Sequence, residues 1–393
     1  MSGLCLLLAA FGLNDGDRVL FYGDSITEQR LYTTYVEAFV RTRFPKLNVE
    51  FVTVGVGGDA TWGGWAGHVE TRVSRDVKPH RPTRISIMLG MNDAGFVPYD
   101  AKIESIFVEY YEKLLRVMRE AAPGAKFTLI QTSPFDDFTK RPTPFAGYNA
   151  TLLKFGKNVS ALAKKAEAEF VDFNAPFVQA MSRSKNPEAF LPDMIHPGPP
   201  GHLVMAGELL KAWNAPSVVT DVKLDAKEQR VVHSVGTKVT GFDGLRWTQK
   251  DEALPFPLDD STRPGAEASG FQEALNKEVL AVTGLDAGRY SLLIDGQKVG
   301  EFSESELAAG INLADHDTPM LRQAARVLDL ATKRNEVFFT AWQRLGCVMP
   351  KCKETQQAIS ALNRLERDLA AKEREAAQPT SHVYQLIRLE QND

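Results

Sequence analysis

Arg18-Val19-Leu20-Phe21-Tyr22-Gly23-Asp24-Ser25 passes from an apolar, strand-like run through a tight turn to a serine, and a helical pattern begins at about Tyr32 and lasts to Phe44. A strand that ends in such a turn just before a helix places the serine at the carboxyl edge of an α/β sheet, where ligands usually bind. The step repeats along the chain. Val49 to Val54, Arg84 to Leu89, Lys126 to Gln131 and a short Phe170 to Phe173 read as further strands. Between them lie helical patterns at Gly67 to Val77, Lys102 to Ala121 and Tyr148 to Ala168, and Pro200 to Trp213 closes the series. This alternation predicts a mostly parallel sheet with helices on both faces. Runs such as Ile85-Ser86-Ile87-Met88-Leu89 fit strands buried on both sides.

With 393 residues the chain exceeds the usual size of one domain. Asn214-Ala215-Pro216-Ser217 offers the boundary, which divides the chain into residues 1–215 and an accessory region, 216–393. Short β-like pieces follow it (Val218 to Leu224, Arg230 to Val239, Ser291 to Asp295), separated by turn signals at Asp243-Gly244 and Asp295-Gly296 and by a loop over Asp259 to Gly265. Beyond Pro319 the pattern is helical, first through Arg322 to Arg344 and then through Thr355 to Ala377. The second helix carries Leu362, Leu365 and Leu369 on one side and reads as an amphipathic surface helix.

An apolar fraction of 44% and a charged fraction of 24% describe an ordinary globular chain. The net charge of −4 supplies no basic field for a polyanion, so nucleic acid is not expected as a partner. No apolar run approaches the roughly 20 residues of a membrane span. Leu4 to Phe11 has the apolarity of a signal-peptide core, yet no Lys or Arg precedes it. Export to the periplasm or medium and a cytoplasmic location both remain open. Cys347 and Cys352 could close a small loop under oxidising conditions or stay reduced, as could Cys5.

Four motifs carry chemistry: Gly23-Asp24-Ser25, Gly57-Gly58-Asp59, Gly90-Met91-Asn92-Asp93 and Asp193-Met194-Ile195-His196-Pro197. A serine hydroxyl needs an adjacent base to act as a nucleophile. His196 can be that base, and Asp193, three residues earlier, can hold the imidazole's tautomer and orientation. The developing oxyanion of acyl transfer needs donors, for which the N–H of Ser25, the N–H of Gly58 and the Asn92 amide are candidates. Taken singly these are weak signals: Ser25 alone would be a helix cap, and Asp-x-x-His alone a surface turn. Gly55-Val56-Gly57-Gly58-Asp59-Ala60 also matches a dinucleotide-binding fingerprint, but Thr61-Trp62-Gly63-Gly64-Trp65 follows it in place of a helix. No cluster of His, Cys and carboxylates has ligand spacing, so no metal or organic cofactor is expected.

In this order the motifs resemble the SGNH, or GDSL, hydrolase family, over about residues 17 to 213. The resemblance implies a flavodoxin-like three-layer α/β/α fold. It also implies a catalytic triad of Ser25, His196 and Asp193, with Gly58 and Asn92 joining Ser25 in the oxyanion hole. The family usually carries an Asn shortly before its second block, where this chain has Thr53. The G-x-S-x-G elbow of α/β-hydrolases is absent, because Thr27 stands at its last glycine. Trp62, Trp65, Phe96 and Tyr99 lie beside the second and third blocks and could form a platform for a sugar ring or an acyl chain, or simply pack. Many relatives of this kind are carbohydrate acetylesterases, and no long apolar lid segment is evident. The expectation is therefore a serine esterase for short-acyl, mainly acetyl, esters of carbohydrates. A thioesterase or lysophospholipase with the same site, and a carbohydrate-binding protein with an idle hydrolase domain, are the alternatives. Nothing in the sequence fixes the oligomeric state.

Overall fold

A computed structural model describes residues 11–139, 145 and 147–390. Most of the apolar N-terminal run, Cys5 included, lies outside the described residues. The chain forms two compact, interleaved units. The first holds the described part of Met1–Val36, with Leu47–Pro216 and Ser261–Ser269; the second holds Glu37–Lys46, Ser217–Asp260 and the described part of Gly270–Asp393. The break near residue 216 thus separates units, while two short segments belong to the unit on the other side of it.

In the first unit, β1 (Arg18–Gly23) leads into α1 (Ser25–Glu28) and α2 (Leu31–Arg43), whose later residues belong to the second unit. Then follow β2 (Glu50–Gly55), a small hairpin of β3 (Gly63–Gly64) and β4 (Gly67–His68), α3 (Val69–Asp76), β5 (Arg84–Met88) and α4 (Ala101–Ala121). After these come β6 (Lys126–Gln131), α5 (Tyr148–Lys165), β7 (Glu169–Asp172), α6 (Asn174–Arg183), α7 (Pro199–Ala212) and, much later, α8 (Arg263–Ser269). The five long strands form one parallel sheet in the order β2-β1-β5-β6-β7, flanked by helices. Renumbered among themselves the strands read 2-1-3-4-5, the flavodoxin-like order. Its direction of winding reverses between β1 and β5. Loops leaving those two strands at their carboxyl ends diverge and open a crevice. Phe21, Val54, Ile85, Ile87 and Leu129 are fully buried, each worth about 1.5–3 kcal/mol of hydrophobic stabilisation.

The second unit contains β8 (Val218–Asp225), β9 (Arg230–Val235), β10 (Thr237–Asp243), β11 (Arg246–Asp251), α9 (Phe271–Leu275), β12 (Lys277–Thr283), β13 (Arg289–Ile294) and β14 (Gln297–Ser303). It ends with α10 (Glu304–Ala309), β15 (Ile311–Asn312), α11 (Pro319–Phe339), α12 (Lys353–Ala376) and β16 (Ser381–Arg388). An antiparallel sheet runs β10-β11-β16-β13-β14, and a mixed sheet runs β15-β12-β8-β9. Val222, Trp247, Leu280, Leu292 and Tyr384 are among its buried core residues. Glu37 explains the placement of its short segment: Arg334 donates to both carboxylate oxygens at 2.7 and 2.6 Å, and Asn335 adds a bond at 3.0 Å.

Several expectations need correction. Arg230 to Val239 is two strands broken at Gly236, which takes a left-handed φ of 68°. The loop read over Asp259 to Gly265 is already helical from Arg263. Leu365 is 46% exposed rather than turned into a packed face. Helix α11 gives way to a π-helical turn from Thr340 to Leu345. Of the two outcomes left open for Cys347 and Cys352, the structure shows the one without a disulfide between them. Among the described residues, no helix is long and apolar enough to cross a membrane.

Candidate active site

Ser25 is the first residue of α1, so its N–H has no carbonyl partner within the helix. Asp24 caps that helix, its Oδ1 accepting from the Ile26 N–H at 3.0 Å. Gly23 is required by close approach: a side chain there would come within 2.7 Å of the Met88 carbonyl on β5 and overlap the Thr27 hydroxyl. These contacts hold Ser25 half-buried at the end of β1.

His196 and Asp193 lie on the loop ahead of α7 and meet Ser25 from across the chain. His196 Nε2 is 2.8 Å from Ser25 Oγ, and His196 Nδ1 is 2.7 Å from Asp193 Oδ2. Asp193 Oδ1 accepts the backbone N–H of Ile195 at 3.0 Å and of His196 at 2.7 Å. Partial burial pushes this carboxyl up, but the hydrogen bonds from His196 and Ile195 outweigh it and hold the group below the usual carboxylate range. It is therefore ionised at neutral pH and accepts from Nδ1–H, which leaves Nε2 free to accept the Ser25 proton. Met194, between the two, has a left-handed φ of 76°, strain typical of functional turns. The Asp136 N–H donates to the Met194 carbonyl at 2.9 Å and ties the turn to the loop after β6.

The second and third motifs knit together beside this row. Gly58 has a left-handed φ of 77°, which glycine adopts without strain. A side chain on Gly57 would reach within 3.9 Å of Ser25 Cβ, so this turn adjoins the hydroxyl. Asn92 Nδ2 donates one hydrogen to the Asp59 carbonyl at 2.9 Å, and an amide carries a second. Asp93 Oδ1 accepts both the N–H and the hydroxyl of Thr61, at 2.9 and 2.7 Å. Arg72, fully buried, donates to Asp59 at 2.7 Å, to the Val54 carbonyl at 2.8 Å and to Asp76. Thr53, at the family's usual Asn position, is buried and donates to the Thr33 hydroxyl at 3.1 Å. Arranged in this way, the groups can activate a hydroxyl and offer N–H donors to an oxyanion beside it.

The aromatic residues separate. Trp65 is 60% exposed, and its Nε1–H donates to the Gly57 carbonyl at 2.9 Å, which fixes an accessible indole beside the second motif. Trp62 instead packs edge-on against Tyr110, with ring centroids 5.9 Å apart. Phe96 joins a cluster with Phe135, Phe145 and Tyr148. Tyr99 donates to Glu104 at 2.5 Å, with the Lys154 ammonium over its ring.

The sequence motifs gave no role at the site to Gln29, Arg72 or His202. His202 is fully buried on α7; it bonds the Tyr32 N–H and the Gln29 side chain. Burial, and secondarily the nearby His196, lower its pKa to about 3. Its spacing from His196 was the only signal in the sequence, and spacing alone does not reveal a partner on another element.

The family model described as GDSL-like lipase/acylhydrolase matches residues 21–204. An acetylxylan esterase of Geobacillus stearothermophilus is 27% identical over 218 residues, which span 51% of this chain and 94% of that one. The solved structure of BT4096, a gut microbial diltiazem-metabolizing enzyme, is 26% identical with a TM-score of 0.84, covering 97% of this chain and 99% of that one. This second likeness takes in both units. The sheet order, the loops that carry the four motifs and these likenesses agree: residues 21–204 form a domain of the GDSL-like lipase/acylhydrolase type, and the protein is a carboxylic ester hydrolase.

Proposed function

We propose that the protein removes short acyl groups, acetyl foremost, from esters of carbohydrates or alcohols of similar size, with Ser25 as nucleophile. The observation that carries this reading is the row Asp193, His196, Ser25, bonded at 2.7 and 2.8 Å. Ser25 Oγ attacks the ester carbonyl while its proton passes to His196 Nε2. The tetrahedral oxyanion accepts from the N–H groups of Ser25 and Gly58 and from the free hydrogen of the Asn92 amide, each donor contributing roughly 3–4 kcal/mol. The ester C–O bond then breaks, and the proton on His196 goes to the leaving alcohol. Water attacks the acyl-serine by the same route and releases the acid. Asp193 orients the imidazole and balances its transient charge.

Likeness to an acetylxylan esterase supports the acetyl and carbohydrate assignment. The exposed, fixed indole of Trp65 gives a sugar ring a face to stack on. The test is hydrolysis of p-nitrophenyl esters of graded chain length, acetylated xylooligosaccharides and diltiazem by the full chain. Acetyl esters are expected to be favoured, and Ser25→Ala is expected to lower kcat by about 10⁴-fold or more without unfolding the protein. A folded Ser25→Ala that kept most of its activity would remove the mechanism, and a steep preference for palmitoyl esters would remove the short-acyl assignment.

A further inference from the structure

Gln29 stands just past the helix that begins with Ser25, and its backbone N–H donates to the Ser25 carbonyl at 3.0 Å. Its side-chain Nε2 reaches the carbonyl of Pro197, the residue after His196, at 3.4 Å, while its Oε1 lies 3.0 Å from His202 Nε2. The other ring nitrogen of His202 accepts the backbone N–H of Tyr32 at 3.3 Å. The imidazole also stacks on the Tyr32 ring, with centroids 6.0 Å apart and planes within 6°.

The bonds have only one consistent direction. An N–H pointing at Nδ1 makes that nitrogen an acceptor, so a neutral His202 carries its hydrogen on Nε2. That hydrogen needs an acceptor and finds Gln29 Oε1, which turns the amide –NH₂ toward the Pro197 carbonyl. Burial keeps the ring neutral and the chain of donors intact. The chain begins on α2, passes through α7 and ends on the backbone next to His196. It returns to the residue covalently adjacent to the Ser25 helix.

We infer that Gln29 and His202 are positioning residues, which hold the His196 loop at hydrogen-bonding distance from Ser25. The inference rests on the triad reading given above. A displacement of about 1 Å between reacting groups can cost about 10²-fold in rate. The same loop is also held by the Asp136–Met194 bond and by Gly198 N–H to the Phe190 carbonyl at 3.0 Å. Loss of one anchor among several, and a long one at 3.4 Å, is therefore expected to cost about ten-fold.

Gln29 is only half-buried, so its variants test the inference without emptying the core. Gln29→Ala is expected to lower kcat on p-nitrophenyl acetate about ten-fold, with KM and melting temperature close to wild type and slower labelling of Ser25 by a fluorophosphonate. Gln29→Glu can still accept from His202, but as a carboxylate it cannot donate to Pro197. Its kcat relative to wild type at the same pH is expected to rise as the pH falls from about 8 to about 5, where protonation restores a donor. Wild-type kcat in Gln29→Ala, or a Gln29→Glu deficit that is the same at every pH, would overturn the positioning role. Ser25→Ala serves as the control: if it stays active the triad reading fails and takes this inference with it, whereas an inactive Ser25→Ala beside fully active Gln29 variants defeats the clamp alone.

Discussion

The carboxylates in and behind the site are not alike. Asp193 is exposed and held ionised by donors. Asp24 is fully buried, and desolvation, only partly offset by the Ile26 N–H and reinforced by Asp93 and Asp59, pushes it up to about 8. Asp93 is pushed up to about 6, again chiefly by burial. The folded state therefore binds a proton at Asp24 that the unfolded chain, with a value near 3.9, releases. Stability from this group is fully present below about pH 4 and is lost as pH rises toward 8, by on the order of several kcal/mol. Asp24→Asn keeps the acceptor for Ile26 and removes the titration. Its urea midpoint is expected to match wild type near pH 4 and to exceed it increasingly up to pH 8.5, and parallel declines for the two proteins would refute the assignment. Ser25, Asp193 and His196 were legible in the sequence as candidates because their motifs occur together and in a fixed order. Gln29 and His202 were not, because each takes its meaning from a partner on another element.

At the scale of elements, legibility followed burial. Strands β1, β5 and β6 are shielded on both faces and appear as continuous apolar runs, whereas β11 and β16 alternate and pair with strands far away in the chain. Arg246-Trp247-Thr248-Gln249-Lys250-Asp251 gives little local sign of being the partner of residues 381–385. Helix α3 was found, but not its purpose, which is to deliver Arg72 into the interior. There the guanidinium bridges Asp59, Asp76 and the Val54 carbonyl and lies 4.9 Å from the centre of the Tyr22 ring. The turn that presents Gly58 is fixed through Asp59, so α3 supports the site from behind. Arg72→Met would leave two buried carboxylates without their shared cation, an expected loss of about 3–5 kcal/mol in denaturant titrations. Arg72→Lys is expected to recover little of it, since one ammonium cannot match a planar fork in three directions. A lysine variant of wild-type stability would show that charge alone suffices there.

The whole molecule is interleaved, and this bears on what can be cut from it. Ending the chain at Pro216 keeps every motif residue, yet it removes α8, which packs on α7 so closely that a side chain on Gly265 would come within 2.8 Å of Pro200 Cα. Helix α7 carries His202. The cut also takes away Arg334, Asn335 and Glu373, which bond Glu37 and Arg41, and the Leu275 carbonyl, which accepts from Arg43 at 2.8 Å. Phe39 and Val40, buried at 0% and 1% and assigned to the second unit, would lose their surroundings and meet water. Losses of even about 3 kcal/mol shift the melting temperature of a unit this size by roughly 10 °C. Residues 1–216 alone are thus expected to be insoluble, or to melt at least about 10 °C below the full chain with esterase activity reduced about ten-fold or more. Supplying residues 217–393 in trans should restore part of both. A soluble 1–216 fragment with the full chain's melting temperature and kcat would mean that the segments exchanged between units contribute nothing to the fold that carries Ser25.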